Sequence, residues 1–529
     1  MPNPTESKPN LIVILADDMG FSDIGCYGSE IATPNLDRLA AGGLRLSGFT
    51  NCARCCPTRA SLMTGLYPHQ AGVGKMVGNE GTAPYQGYLR DDTATLPESL
   101  RAAGYRTLMS GKWHCGGHYP VNDPDTCREL ARQDDHPLPT DRGFDTFYGT
   151  LGGAGSYFRP PTLMRDATFI DVGPDEDYYY SEAIGTEAVR MIEETPAEQP
   201  FFLYTAFTAP HWPLHAREAD IAPYRERYAE GWDALRAERY ARLQELGIIS
   251  AWPLSPRDPG AKPWAEADHK EWEIERMAVY AAMVTAMDRA IGTILDTVTA
   301  RGQLDNTFIM FLSDNGGCAE FLREDGPLDA WPGFYAIPTA DGRPVHVGNN
   351  PGVRPGPADT FMSYDTAWAN ASNTPFRLFK SWTHEGGVAT PCVVHLPHQV
   401  STPGAIAHGP WHVVDIAATC LDLAGATPLP ERAGKAVQTP VGESFASVLS
   451  NPAHQRSGPI YYEHIGCRAI RRGADKAVWR RDRDQWELYD MERDRTELAD
   501  RALSEPERLA ALTADWQQWA ERVGVFAEA

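Results

Sequence analysis

Leu11-Ile12-Val13-Ile14-Leu15-Ala16, running straight into Asp17-Asp18-Met19-Gly20, is the stretch on which the reading of this chain turns. An apolar run of strand length with no polar alternation belongs to a strand covered on both faces, as in parallel α/β sheets. Runs of the same kind recur at 201–207, 307–312 and 393–396, with a shorter one at 105–109. Between them, 35–41, 97–103, 180–194 and 271–299 carry helical apolar spacing, three of them closed by Gly42-Gly43, Gly104 and Gly302. Strand, helix, strand, helix predicts an α/β fold: a doubly wound, mostly parallel sheet flanked by helices.

Two stretches interrupt this scheme. Residues 218–247 are highly charged and predict an exposed helical insertion, while 326–359, rich in Gly and Pro, predict a long loop able to shape a pocket. From about Pro459 the texture becomes alternating, as in Ile460-Tyr461-Tyr462-Glu463, Ala477-Val478-Trp479-Arg480 and Trp486-Glu487-Leu488-Tyr489. That pattern predicts an antiparallel sheet, followed by an amphipathic helix over 506–523. The expected division is a large domain over 1–445 and a smaller C-terminal domain over 446–529.

The chain has 48 Lys and Arg against 71 Asp and Glu, a net charge of -23, which disfavours nucleic acid and anionic membranes as partners. No unbroken apolar run approaches the roughly 18 residues that argue for a membrane helix, so no membrane association is expected. MPNPTESKPN at the start has no export-signal pattern, and a cytoplasmic protein beginning near Met1 is expected. The ten cysteines then default to free thiols, although Cys52, Cys55 and Cys56 are crowded. Core thiols explain that crowding, and zinc is a weaker alternative, since no second Cys or His pair follows at ligand spacing.

Ligands of open α/β sheets bind beyond the carboxyl ends of the strands. There the predicted strands deliver Asp17-Asp18, Gly111-Lys112-Trp113-His114, Pro210-His211 and Asp314-Asn315-Gly316-Gly317. Asp17, Asp18, Asp314 and Asn315 form a hard, all-oxygen set suited to calcium or magnesium. Either motif alone reads first as a turn; their shared position after two buried strands reverses that preference in favour of the metal. In Cys55-Cys56-Pro57-Thr58-Arg59 through Gly65, Pro57 suits a first helical turn and Gly65 its end. Cys55 therefore falls at a helix N-terminus, where a negative charge is favoured, as a low-pKa nucleophile or as a structural thiol.

Cys55-x-Pro57-x-Arg59, followed by Leu62-x-Thr64-Gly65, resembles the signature of type I sulfatases, in which that cysteine becomes formylglycine. The resemblance spans nearly the whole chain through Asp17-Asp18, Thr33-Pro34-Asn35-Leu36-Asp37, Gly111-Lys112-Trp113-His114, Ala209-Pro210-His211, Ser313-Asp314-Asn315-Gly316, Glu385-Gly386-Gly387 and Trp486-Glu487-Leu488-Tyr489-Asp490. The likeness is greatest to cytoplasmic bacterial arylsulfatases. The modified residue stands two before the proline, which selects Cys55; the next position, often serine, is Cys56 here.

The resemblance implies calcium, with magnesium second, bound by Asp17, Asp18, Asp314, Asn315 and the modified Cys55. It implies that Asp314 can accept the attacking hydroxyl's proton, that Arg59 and Lys112 orient the aldehyde hydrate, and that His114 takes the second hydroxyl's proton. His211 and Lys380 would lie at the leaving oxygen, and with Lys112 they would contact the sulfate. Small aryl sulfate esters are the expected substrates, and a formylglycine-generating enzyme the expected maturation partner. The rivals are a phosphonate or phosphate ester hydrolase on the same scaffold and a sulfate-ester binding protein with unconverted Cys55. Phe147, Tyr148, Tyr157 and Phe158 are candidate pocket walls, with buried core the competing explanation.

Overall fold

The computed structural model describes residues 8–174, 177–324 and 333–525. Its main sheet has ten strands: β1 (Asn10–Ala16), β2 (Leu44–Leu46), β3 (Arg106–Gly111), β4 (Thr146–Thr150), β5 (Leu163–Arg165), β6 (Thr168–Phe169), β7 (Phe201–Ala206), β8 (Thr307–Ser313), β9 (Val393–His395) and β10 (Ile406–Ala407). They lie side by side as β10-β2-β9-β8-β1-β7-β3-β4-β5-β6. The central strands β8, β1, β7, β3 and β4 are parallel, and β1 pairs with β7 and β8 on its two sides. Every residue of β1, β7 and β8 is buried, which is why these strands read as unbroken apolar runs. β9 is antiparallel to both β8 and β2, and β5 and β6 close the far edge as antiparallel strands, so the sheet is mixed at its margins.

Helices cover both faces, including α1 (Pro34–Gly42), α2 (Cys55–Thr64), α3 (Leu96–Ala102), α4 (Tyr180–Glu193), α5 (Gly231–Glu245) and α6 (Lys270–Ala300). Helix α6 packs along α4. Contrary to the reading of the sequence, α6 is long and apolar enough to span a membrane, but 83% of its apolar stretch is buried inside the protein. A search for an unbroken run misses it because Asp288 and Arg289 interrupt the pattern.

The charged stretch 218–247 is not simply exposed. α5 buries Trp232, Leu235, Arg239 and Leu243, and Arg239 reaches Asp23 at 2.5 Å and Glu30 at 2.8 Å. Its charge is neutralised inward, which a linear charge count reads as a solvated face. Of the predicted loop 326–359, residues 326–332 lie outside the described residues; the rest holds only a short turn at Gly333–Tyr335 and a two-residue strand, His346–Val347.

A second sheet, of β11 (Ile460–His464), β12 (Cys467–Arg472), β13 (Asp475–Arg480) and β14 (Gln485–Asp490), is an antiparallel meander backed by α7 (Pro506–Val523). A buried ion cluster joins it to the main body: Lys476 Nζ lies 2.7 Å from Glu385 and 2.9 Å from Glu497, and Arg495 Nε lies 2.6 Å from Glu385. Burial would raise Glu385, but Lys476 and then Arg495 outweigh it and bring its carboxyl down to about 2. The group therefore stabilises the fold above its unfolded pKa and loses that contribution as pH falls from about 4.5 towards 2. Glu385→Gln should cost about 3–5 kcal/mol at neutral pH by leaving two buried cations short of a counter-charge. Urea unfolding at pH 7 measures this, and a variant within about 1 kcal/mol of the parent, the worth of an exposed pair, would remove the cluster from that role.

Candidate active site

The carboxyl ends of β1, β3, β7 and β8 open on one side of the sheet, and the chain turns sharply at each. Asp17 and Asp18 would face opposite sides if β1 continued. Instead Asp18 adopts φ 63°, in the left-handed region, which lets both carboxylates serve one pocket. His114 makes the corresponding turn after β3, at φ 52°. Non-glycine residues in this region are uncommon and cluster at functional sites.

The pocket floor is a knot of opposed charges with almost no exposure. Lys112 Nζ donates to Asp17 Oδ2 at 2.5 Å; Arg59 Nη2 donates to Asp314 Oδ2 at 2.7 Å and lies 3.3 Å from Asp17 Oδ2. Arg59 Nη1 donates to Lys112 O at 2.9 Å, tying helix α2 to the end of β3. Across the pocket, Asn315 Nδ2 donates to Asp18 Oδ1 at 2.7 Å, and Lys380 Nζ donates to Asp18 Oδ2 at 2.9 Å. His211 Nε2 lies 3.4 Å from Lys380 Nζ and 3.3 Å from Asp18 Oδ2. Its Nδ1 donates to Trp212 O at 2.6 Å, which fixes Nε2 as the lone-pair nitrogen of the neutral ring.

Asp17 is lowered: burial opposes ionisation, but Lys112, His211 and Arg59 together outweigh it. Asp314 is pushed well above the carboxylate range, by burial first and then by the Asp17 charge. Asp17 Oδ1 and Asn315 Oδ1 are buried with no hydrogen-bond partner. Such oxygens normally have one. Two unspent oxygens beside a repelling carboxylate pair fit a hard cation, and oxygen donors suit calcium or magnesium. Asp17, Asp18 and His211 also present ligand atoms within 4.8 Å of one another.

Cys55 opens α2, whose N-cap Arg54 is extended and whose C-terminus closes at Gly65 with φ 67°. The structure separates the three crowded thiols by direction. Cys52 Sγ faces Ser61 Oγ at 3.5 Å, and Cys56 Sγ faces Met76 Sδ at 3.5 Å. Burial raises Cys52 to about 12 and Cys56 well above its ordinary value. Cys55 alone is lowered, by hydrogen bonding from Cys56 foremost, against burial, and then by Lys112 and His114. Burial pulls His114 down to about 4, so its ring is neutral at pH 7, and its Nδ1 has no partner. Cys55, Cys56 and His114 also lie within 4.8 Å of one another, a soft triad that linear spacing does not reveal. Among the described residues no fourth ligand joins it to make a structural zinc site.

Several residues that organise the pocket carry no signal in the sequence. Glu320 receives Arg54 at 3.0 Å and Trp212 Nε1 at 2.9 Å and lies 3.7 Å from Lys380. Lys380 sits on no strand; its segment is braced from behind. A side chain on Gly386 would meet Arg377 O at 2.2 Å, and one on Gly316 would meet Gly386 O at 1.9 Å, so glycine permits both contacts. Arg377 in turn pairs with Glu487 of β14 at 3.0 Å. The Glu385-Gly386-Gly387 and Trp486-Glu487-Leu488-Tyr489-Asp490 motifs thus support Lys380 without touching the pocket. Of the candidate wall residues, Phe147, Tyr148 and Tyr157 are core, and Phe158 is half-buried against it. Tyr157 Oη donates to Thr208 O at 2.7 Å and His211 O at 2.9 Å, holding the loop that carries His211.

A nucleophile position at a helix N-terminus, facing acidic metal-ligand candidates and three buried cations across one sheet edge, defines a hydrolase of anionic esters. Comparison with known proteins narrows the class. The family model for sulfatases matches residues 9–426. An uncharacterised sulfatase of Schizosaccharomyces pombe is 35% identical over 98% of this chain and 94% of its own length, and an arylsulfatase of Klebsiella aerogenes is 34% identical over 85% and 94%. The crystal structure of Ps i-CgsB in complex with k-i-k-neocarrahexaose is similar with a TM-score of 0.66 at 26% identity, covering 97% of this chain and 93% of that one. The chain belongs to the sulfatase family and is a sulfuric ester hydrolase.

Proposed function

We propose that this sulfatase hydrolyses small aryl sulfates, using a formylglycine made from Cys55 as nucleophile and a calcium ion held by Asp17, Asp18, Asp314 and Asn315. The observation that carries the reading is the placement of Cys55, the one lowered thiol of the crowded three, between neutral His114 and the Arg59–Lys112–Asp314 knot. The similarity to the Klebsiella aerogenes arylsulfatase supports the choice of aryl esters.

A hydrated aldehyde supplies two hydroxyls on one carbon: the oxygen of one bonds to sulfur as the sulfur–oxygen bond to the phenol breaks and the phenolate leaves, and the oxygen of the other reforms the carbonyl as sulfate departs. Calcium, when bound, supplies positive charge to a sulfate oxygen and favours an ionised hydroxyl. Residue 55 could join the ligand set once modified. Arg59 and Lys112 orient the hydrate and offset its charge, each held in place by a carboxylate of the same pocket. Asp314 can accept the attacking proton, and neutral His114 accepts the second hydroxyl's proton at the ring nitrogen facing residue 55. Lys380 and His211 lie at the leaving oxygen: Lys380 donates a proton or a hydrogen bond to it, and His211, whose Nε2 lone pair faces Lys380 Nζ, holds that donor in place.

Charge explains how an acidic chain takes an anionic ester. Asp17, Asp18 and Asp314 balance Arg59, Lys112 and Lys380, so a divalent ion makes the pocket locally positive inside a body of net charge -23. The test is relative turnover of nitrophenyl sulfate, nitrophenyl phosphate and phenylphosphonate esters, with sulfate expected to be fastest. Faster phosphonate turnover would transfer the assignment to that chemistry. Within a graded series of phenols, Lys380→Ala and His211→Ala should lose more rate on phenyl sulfate than on nitrophenyl sulfate, because assistance matters most for the most basic leaving group. Equal losses across the series would leave these residues only as binders of the sulfate.

A further inference from the structure

A cavity of about 310 Å³ lies where the main-sheet edge, the turn after α5 and the C-terminal sheet meet, and it shares no residue with the catalytic cluster. Two of its wall residues are arginines almost wholly out of solvent, Arg471 at 6% and Arg495 at 3% exposure. Both are anchored, and the Arg495 guanidinium also lies over the Phe376 ring at 5.0 Å and the Phe21 ring at 5.7 Å. Arg471 Nε donates to Gly473 O at 3.2 Å, and Arg495 Nε donates to Glu385 Oε2 at 2.6 Å while its Nη1 donates to Ser47 O. Each also leaves a buried nitrogen without a partner, Nη1 of Arg471 and Nη2 of Arg495. Buried donors of this kind are costly unless something accepts from them.

The local charge is also unbalanced. Glu385 pairs with Lys476 and Arg495 and Glu497 with Lys476, whereas Arg471 forms no ion pair among the described residues, so these three buried cations meet only two buried carboxylates. Burial is the largest influence on Arg471 and pulls it below the ordinary arginine value, with Glu385 offsetting only part of this. The nearby carboxylate of Glu492 lies on the exposed rim. Ile249, Trp252 and Met491 line the same cavity, and Trp252 is fixed by donating Nε1 to Glu492 O at 2.8 Å. A cationic end and an apolar wall in a space of this size match a small amphipathic anion, and guanidinium pairs bind planar or tetrahedral oxyanions through several parallel hydrogen bonds.

We propose that this cavity is a second ligand site, taking a small organic oxyanion whose sulfonate, sulfate or carboxylate head sits on Arg471 and Arg495 and whose apolar body lies against Ile249 and Trp252. The assignment does not depend on the catalytic reading, since none of these residues belongs to that pocket.

Benzenesulfonate, which has no ester bond to cleave, is the probe, titrated calorimetrically into the calcium-loaded full chain carrying Lys380→Ala to weaken binding at the catalytic pocket. Binding is expected to persist in this background. Adding Arg471→Gln should weaken it at least ten-fold. Because Arg471→Gln could disturb folding, Ser250→Trp provides a second arm: Ser250 is an exposed lining residue, and the indole fills the cavity while leaving both guanidiniums in place. It too should weaken binding at least ten-fold, with an unchanged melting temperature. No binding in the Lys380→Ala background, or binding unaffected by Ser250→Trp, overturns the site. Inorganic sulfate should bind at least ten-fold more weakly than benzenesulfonate, and equal affinities overturn the role given to the apolar wall.

Discussion

Replacing Cys55 by alanine should lower aryl sulfate turnover by at least about 10⁴-fold, the scale of loss when a covalent nucleophile is removed, while Cys52→Ala and Cys56→Ala remain active. The structure gives the reason for the contrast. Cys52 and Cys56 contact Ser61 and Met76 and burial raises both thiols, whereas Cys55 is lowered by its hydrogen bond from Cys56 and by Lys112 and His114. Peptide mapping of active protein coexpressed with a formylglycine-generating enzyme should find an aldehyde at position 55 and thiols at 52 and 56. Cys55 is only 2% exposed in the folded chain, and all of α2 is buried. Conversion should therefore require the unfolded segment, and the same enzyme added to folded protein should yield no aldehyde. A fully active preparation whose residue 55 is still a thiol would sink the mechanism.

How much of this could be read beforehand depended on how each feature is encoded. β1, β7 and β8 were legible because burial on both faces demands unbroken apolar residues, and the chemistry at their ends was legible because sheet topology fixes where it must gather. β2, β5, β6 and β10 are two or three residues long, too short for any period to register, and only pairing with a neighbour defines them. The antiparallel course of β9 is set by its neighbours β8 and β2, and its two valines look the same in either direction. The insertion containing α5 was misjudged because Arg239 is charged yet buried against Asp23 and Glu30, partners some two hundred residues away in sequence. Glu320 escaped for a similar reason: it is an isolated carboxylate whose meaning comes from Arg54, Trp212 and Lys380 converging on it in space.

Asp314→Asn should abolish both metal binding and catalysis, and the amide substitution is instructive because it preserves shape. Asp314 Oδ2 accepts from Arg59 Nε at 3.1 Å and Nη2 at 2.7 Å, while Oδ1 accepts from Asp18 N at 3.3 Å. An asparagine has one acceptor end and one donor end, so either orientation aims its NH₂ at a donor, Arg59 or the Asp18 amide. Arg59 loses its anchor in one orientation, and the turn that directs Asp18 into the pocket is disturbed in the other. Removing the charge relieves the repulsion from Asp17 but leaves buried Arg59 without its two-bonded counter-charge, so the metal-free variant should melt below its parent. The expected signature is a calcium-dependent rise in melting temperature that is present in the parent and absent in the variant, because a ligand stabilises only the state that binds it. Calcium affinity should fall at least about 100-fold, beyond the loss typical of an outer-shell change, and turnover about 10³-fold, as when a preorganised electrostatic group is removed. A variant that retains the calcium-dependent stabilisation while losing turnover would take Asp314 out of the ligand set and leave it as the proton acceptor and anchor of Arg59.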